Sequence, residues 1–267
     1  MILTPLKNFI ISTCPEKLDK LSRFRHGWAW LLLTALTAGG AFRLWRHWAE
    51  PMISRDGVLY LRQAELWLTG GFQALQGSEA AWIPPLLPWS ISRGMLCGLS
   101  AYSSGILVNV LAGTLLIAAV FLLTGEFFRD KRLGALAALF CAFVPEFVQL
   151  SVEIQRESLY LLFMTLALWL AVCSFRRRNR FYWGGAGTTA FLAALARYEA
   201  LELFLFIPLF LLGRLWLNAE ERRETGWALL LFLLGGAVGG ILLSILLGIP
   251  LEYYTEALTG RLRGMWG

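Results

Sequence analysis

Eight ionisable side chains stand in three short groups that long apolar runs hold apart: Asp56, Arg62 and Glu65; Glu153, Arg156 and Glu157; Arg197 and Glu199. Carboxylates of this kind can take a proton from a hydroxyl or offer oxygen to a cation. Arginine, permanently charged and forked, meets phosphate oxygens two at a time. Each group also has a plain structural use. Asp56, in the stretch Ile53-Ser54-Arg55-Asp56-Gly57-Val58-Leu59-Tyr60, suits the positive end of a helix dipole. Glu153, Arg156 and Glu157 stand at i, i+3 and i+4 and can pair along one helix end. Arg197 and Glu199 can anchor a helix among lipid headgroups. Three local uses become one site only in a fold that brings the groups to a single face.

The chain around them calls for a membrane. Of its 267 residues, 57% are apolar and 16% charged, against roughly 45–50% and 25% in a soluble domain. Mean hydropathy is +0.60. Separate apolar runs at 28–45, 105–125, 133–151, 158–175, 182–198, 200–217 and 226–248 approach the ~20 residues that cross ~30 Å of hydrocarbon. Soluble enzyme, disulfide scaffold, nucleic-acid binder and disordered tail are excluded for the chain as a whole. The net charge of +6 does not point to nucleic acid, because the basic residues cluster between apolar runs in the positive-inside pattern, with attraction to membrane lipids as a second effect. Cys14, Cys97, Cys141 and Cys173 form no CxxC pair, and His26 and His47 are too few for a His-based metal site, so free thiols are expected.

An eighth stretch, 82–99, opens with Trp82-Ile83-Pro84-Pro85-Leu86-Leu87-Pro88 and carries Arg93, poor material for a span. If it does not cross, the basic residues of the N-terminus, Arg129 with Lys131 and Arg132, the run Arg176 to Arg180, and Arg214 with Arg222 and Arg223 share one side. The expected fold is therefore all-α: a polytopic transmembrane helical bundle of about seven spans, one module over 1–267. Its parts are a cytoplasmic N-terminus, 1–26; a long external loop, 46–104, holding two juxtamembrane helices joined near the prolines; the remaining spans, 105–248; and an external tail, 249–267. Lys7, Lys17, Lys20, Arg23 and Arg25 precede a first run without a small-residue cleavage site, as in a retained signal anchor. Arg43 and Arg46, at the outer end of the first span, run against this charge trend. The three ionisable groups all emerge near the outer face. In the first loop helix Tyr60, Ala64 and Trp67 share one side. Gly235-Gly236 and Gly239-Gly240 read as close helix packing, not as a phosphate loop.

In its order of features the chain resembles the N-terminal part of the GT-C superfamily of polytopic glycosyltransferases, especially bacterial protein O-mannosyltransferases and the aminoarabinose transferase of lipid A. The resemblance rests on Ser54-Arg55-Asp56-Gly57 with Tyr60 and Ala64, the Gly70-Gly71 turn, Pro84-Pro85-Leu86, Pro145 through Glu157, and Leu195-Ala196-Arg197-Tyr198-Glu199. It covers about residues 25 to 217. It implies a bacterial inner-membrane enzyme, N-terminus cytoplasmic and active site on the outer face, moving a sugar with inversion from a polyprenyl-phosphate donor to a lipid, glycan or protein acceptor. Asp56 matches the family's essential aspartate of the first outer loop and is expected as general base. Glu157 is the second catalytic candidate; Glu157 or Glu153 is expected to orient the acceptor, or to help hold a divalent cation through oxygen ligands. For the departing lipid phosphate, Arg197 is the first choice and Arg156 the second, with Tyr60 and Glu199 completing the expected substrate-binding set. No cofactor is required by these residues; a divalent cation, Mg or Mn, is the candidate if one is used, its ligands being open. Gly57 stands where many relatives carry a second carboxylate. The competing readings are a non-catalytic scaffold and a flippase or transporter of lipid-linked sugars. A transporter should show inverted repeats and midplane charges, and neither is visible.

Overall fold

The computed structural model describes residues 27–51, 53–75 and 83–250. The expectations for the N-terminal segment 1–26, and for the tail beyond residue 250, lie outside the described residues. Ten α-helices follow one another: α1 (Gly27–Ala49), α2 (Arg55–Gly70), α3 (Leu86–Leu96), α4 (Ala101–Phe128), α5 (Lys131–Phe143), α6 (Pro145–Val152), α7 (Glu157–Arg177), α8 (Phe181–Ala196), α9 (Leu203–Leu217) and α10 (Arg222–Leu247). Short 3₁₀ turns at Gly71–Leu75, Tyr198–Glu202 and Ala219–Glu221 complete the described elements. The all-helical membrane bundle expected from composition is the observed architecture.

Helices α4, α7, α10 and α9 with its preceding turn are each long and apolar enough to cross a membrane, and α5 with α6 makes a fifth candidate, bent by 59°. Helix α1, which carries Arg43, Arg46 and His47, and α8, 16 residues long, do not meet the same measure. Helix α3 has 11 residues, about 17 Å at a rise of ~1.5 Å per residue, and so falls well short of ~30 Å of hydrocarbon. Pro84 and Pro85, both fully buried, lead into it and delay its first turn. Outward-facing Trp30, Trp45, Trp48, Leu205, Phe206, Phe210 and Trp216 would be costly in water and are ordinary against lipid.

Small residues set the closest helix approach. A methyl group at Gly235 of α10 would run into the Gly184 carbonyl of α8, and one at Gly187 into the carbonyl of Phe232. The two backbones therefore meet directly, as the paired glycines of α10 predict.

The break between α5 and α6 is held by an unexpected residue. Pro145 begins α6 and has no N–H, so the Cys141 carbonyl loses the donor that a continuous helix would supply four residues on. Arg43 of α1 replaces it: Nη2 donates to Cys141 O at 3.2 Å, and Nη1 to Ala142 O at 2.9 Å and Gly39 O at 3.0 Å. Gly39 permits the approach, since a Cβ there would lie 2.9 Å from Ala142 Cβ. Arg43 is completely buried. It belongs to the protein interior, so its charge does not count against the topology as its sequence position suggested.

Candidate active site

The first group is delivered by α2. Ser54 caps this helix, its Oγ accepting from Gly57 N at 3.0 Å. Asp56, two residues into the first turn, is therefore not the capping side chain. Its carboxylate is exposed and makes no hydrogen bond or ion pair among the described residues. One turn on, Tyr60 is buried with Ala64 and Trp67 on the inner side of α2, the shared face that their spacing predicts. Gly57 lets the start of α2 press against the second group, for a Cβ there would lie 3.2 Å from the carbonyl of Ile154.

The second group occupies the link between α6 and α7. Ile154, fully buried, anchors it, and Ser158 Oγ ties the first turn of α7 to Leu150 O at 2.8 Å. The guanidinium of Arg156 lies over the Tyr60 ring, 5.6 Å from its centre. Burial pushes the Tyr60 phenol above its ordinary value of 10; the positive charge of Arg156 opposes that shift, while Asp56 and Glu157 add to it. Three ionisable groups, from segments about a hundred residues apart, thus act on one ring. Arg156 has no carboxylate partner among the described residues, and its Nε is buried without a hydrogen-bond acceptor.

The third group closes the arrangement. Arg197 caps α8 in an extended conformation, and its Nη1 meets Glu157 Oε1 at 3.0 Å while Nε lies 3.2 Å from Glu199 Oε2. Its charge also lies 5.9 Å from the centre of the Tyr160 ring. The Tyr160 hydroxyl in turn donates to Glu202 Oε1 at 3.4 Å.

Of the residues that sequence reasoning proposed, Asp56, Tyr60, Arg156, Glu157, Arg197 and Glu199 form this continuous charged surface. Glu153 does not join it. Its carboxylate accepts from Gln149 Nε2 at 2.9 Å and from Gln155 Nε2, and it lines a neighbouring cleft of about 200 Å³ with Arg46 and Glu50. Arg62 and Glu65 stay on the exposed side of α2. Tyr160 and Glu202 were missed. Tyr160 follows Glu157 by three residues, a spacing that puts both on one side of α7, and this was the available signal. Among the described residues no three His, Cys, Asp or Glu side chains gather as a metal site would require.

A bundle of lipid-facing helices with carboxylates and arginines converging at one end is the form of a membrane enzyme that handles a polar group on a lipid carrier. Residues 83–244 match the family model of the dolichyl-phosphate-mannose-protein mannosyltransferases, and the chain belongs to this family of membrane glycosyltransferases, whose donors are lipid-linked sugars. No curated protein and no solved structure matches it. The matched region contains Arg156, Glu157, Arg197 and Glu199 and begins after α2, so Asp56 and Tyr60 lie ahead of it.

Proposed function

We propose that the chain transfers a sugar, with inversion, from a polyprenyl-phosphate donor to an acceptor hydroxyl at the membrane face where Asp56, Arg156 and Arg197 lie, the outer face in the topology set out above. One observation carries this reading: the Asp56 carboxylate is exposed and unpaired on a helix that Ser54 already caps. Beyond a favourable place at the positive end of the α2 dipole, no partner among the described residues occupies that carboxylate, which leaves it for chemistry. Asp56 takes the proton of the acceptor hydroxyl as its oxygen bonds to the anomeric carbon. The bond from that carbon to the phosphate oxygen breaks, and the lipid phosphate leaves with the electron pair.

Arginine stabilises the departing phosphate. For this role we place Arg156 ahead of Arg197, the reverse of the order taken from sequence, and the pairing of the two residues supports that choice. Arg197 is engaged by Glu157 and Glu199, whereas Arg156 has no carboxylate partner and is placed by the Tyr60 ring. Arg156 is then the primary phosphate ligand. Arg197 supports it, and Glu157 acts by positioning Arg197.

The test is Asp56→Asn in the full chain. Ser54 supplies the cap, so the variant should insert and remain monodisperse as wild type does. Transfer to acceptor should fall at least ~10²-fold, the lower end for loss of one general base, with donor binding nearly unchanged. Transfer within a few-fold of wild type would remove Asp56 from the mechanism.

A further inference from the structure

A second cleft, larger than the one beside Glu153, lies at the other end of the bundle. Helix α7 separates the two ends by 21 residues, roughly 30 Å at ~1.5 Å per residue. About 510 Å³ opens where the turn from α7 to α8 meets the turn from α9 to α10, within the range of small-molecule sites. Its charges divide into a closed pair and an open set. Arg214 is bound to Glu221, with Nε 3.1 Å from Oε2, and this contact holds the Glu221 carboxyl below its usual range, with Arg178 pulling the same way. That pair is neutral and satisfied.

Arg178, Arg180 and Glu224 also line the cleft, are exposed, and make no ion pair among the described residues. Arg178 is held at a positive φ of 49°, in the left-handed conformation that ends α7 without glycine. Arg180 sits 5.6 Å from the centre of the Trp227 ring, which steadies a long side chain at little further entropic cost. The cleft thus offers two guanidinium groups and one carboxylate that form no ion pair among the described residues, Arg178 acting on the paired Glu221 only through space.

The surroundings indicate where the ligand comes from. Trp227 is 42% exposed and Phe181 74%, and large aromatic rings at the mouth of a cleft mark headgroup depth in a membrane protein. From Trp227, the exposed residues Leu230, Leu234, Val238 and Ile241 continue along one side of α10, at the i, i+3, i+7 spacing of a single helix face. A polar cleft that opens onto an apolar strip fits an amphiphile better than a free solute.

We propose that this cleft binds the headgroup of a membrane phospholipid carrying a phosphodiester and a primary ammonium, with Arg178 and Arg180 on the phosphate, Glu224 on the ammonium and an acyl chain along α10. Two guanidinium groups alone would suit any anionic lipid. Glu224 makes the difference, because it repels a headgroup with no positive charge and hydrogen-bonds an ammonium that still has N–H donors.

The experiment titrates the delipidated full chain in detergent with phosphatidylethanolamine, phosphatidylcholine and phosphatidylglycerol of identical acyl chains, counting retained lipids by native mass spectrometry. One phosphatidylethanolamine should be retained at about tenfold lower concentration than either other lipid. The double variant R178A/R180A should lose that retention at least about tenfold, a factor of ten being about 1.4 kcal/mol. Glu224→Gln should bring phosphatidylethanolamine down to the level of phosphatidylcholine. Equal retention of the three lipids by wild type, or a preference for phosphatidylglycerol, would overturn the assignment without reference to any variant. So would wild-type retention by R178A/R180A. Displacement of the bound lipid by an equimolar amount of soluble glycerophosphoethanolamine would show a site for a free phosphate ester and overturn the lipid source.

Discussion

Arg43 and Arg197 both close the end of a helix, and they are satisfied in opposite ways. Arg43 is completely buried and reaches only carbonyl oxygens of α1 and α5. Arg197 is one-third exposed and is met by two carboxylates. A guanidinium held by backbone oxygens has no partner that can be exchanged without unmaking a helix end, so that corner keeps its shape. A guanidinium held by side chains at a wet surface can trade one carboxylate for a substrate phosphate at small cost, since exposed ion pairs contribute only ~0–1 kcal/mol. The first arrangement suits a frame and the second a binding surface.

The largest effect should come from the frame. Replacing Arg43 with Met keeps bulk but leaves the carbonyls of Cys141 and Ala142 without donors, at about 1–3 kcal/mol each. Relief from burying a charge offsets part of this loss. We expect about 2–4 kcal/mol of lost stability, read from thermal unfolding in detergent, with α5 and α6 the first region to gain hydrogen-exchange signal. Unchanged stability would mean that the break needs no pin.

At the binding surface the loss should be of ligand and not of fold. Arg156→Lys keeps the charge and removes the forked contact, so donor binding should weaken about tenfold or more at unchanged melting temperature. Arg197→Lys should weaken it less. Glu157→Gln and Arg197→Ala should also be non-additive, with a coupling of about 0.5–1 kcal/mol in a double-mutant cycle. Equal losses from Arg156→Lys and Arg197→Lys would restore Arg197 as an equal phosphate ligand.

The smallest effect concerns Tyr60. Its folded-state value is raised, mainly by burial, so the folded form keeps the phenol proton more tightly than the unfolded chain does. That contribution is fully present below the ordinary value of 10 and is lost as pH rises through the raised value. Melting temperatures of wild type should therefore drop more steeply above about pH 10 than those of Tyr60→Phe, the two running in parallel at neutral pH.

Sequence alone gave a good account of anything that depends on local spacing. The buried side of α2 follows from Tyr60, Ala64 and Trp67, and the tight contact of α8 with α10 follows from the glycines of α10. The failure of 82–99 to form a long helix follows from its three prolines. Less legible was whatever depends on which distant group fills a given need. Ser54 and Asp56 are both good residues for a helix start, and only the backbone shows that Ser54 takes the cap. Arg197 and Glu157 are 40 residues apart, and no periodicity links them. Arg43 looked like an interfacial charge because its partners, Cys141 and Ala142, are carbonyls, which every residue has and no sequence pattern marks. The grouping of Arg156 and Glu157 with Asp56 was expected from topology, while the departure of Glu153 from that group depends on two glutamines, Gln149 and Gln155, whose side chains could have pointed elsewhere.

The pin at the bent pair also imposes an order on biogenesis. Arg43 is synthesised about a hundred residues before the carbonyls that receive it, the separation to Ala142 being 99. Until α5 emerges, the Gly39 carbonyl of α1 itself is the one acceptor of the three that Arg43 can reach, and the long arginine stem lets its charge turn toward headgroups. Helices α5 and α6, of 13 and 8 residues, are each too short to hold a place across ~30 Å of hydrocarbon alone. Each piece is incomplete without the other, so this corner of the bundle is complete only once α1, α5 and α6 have all been made.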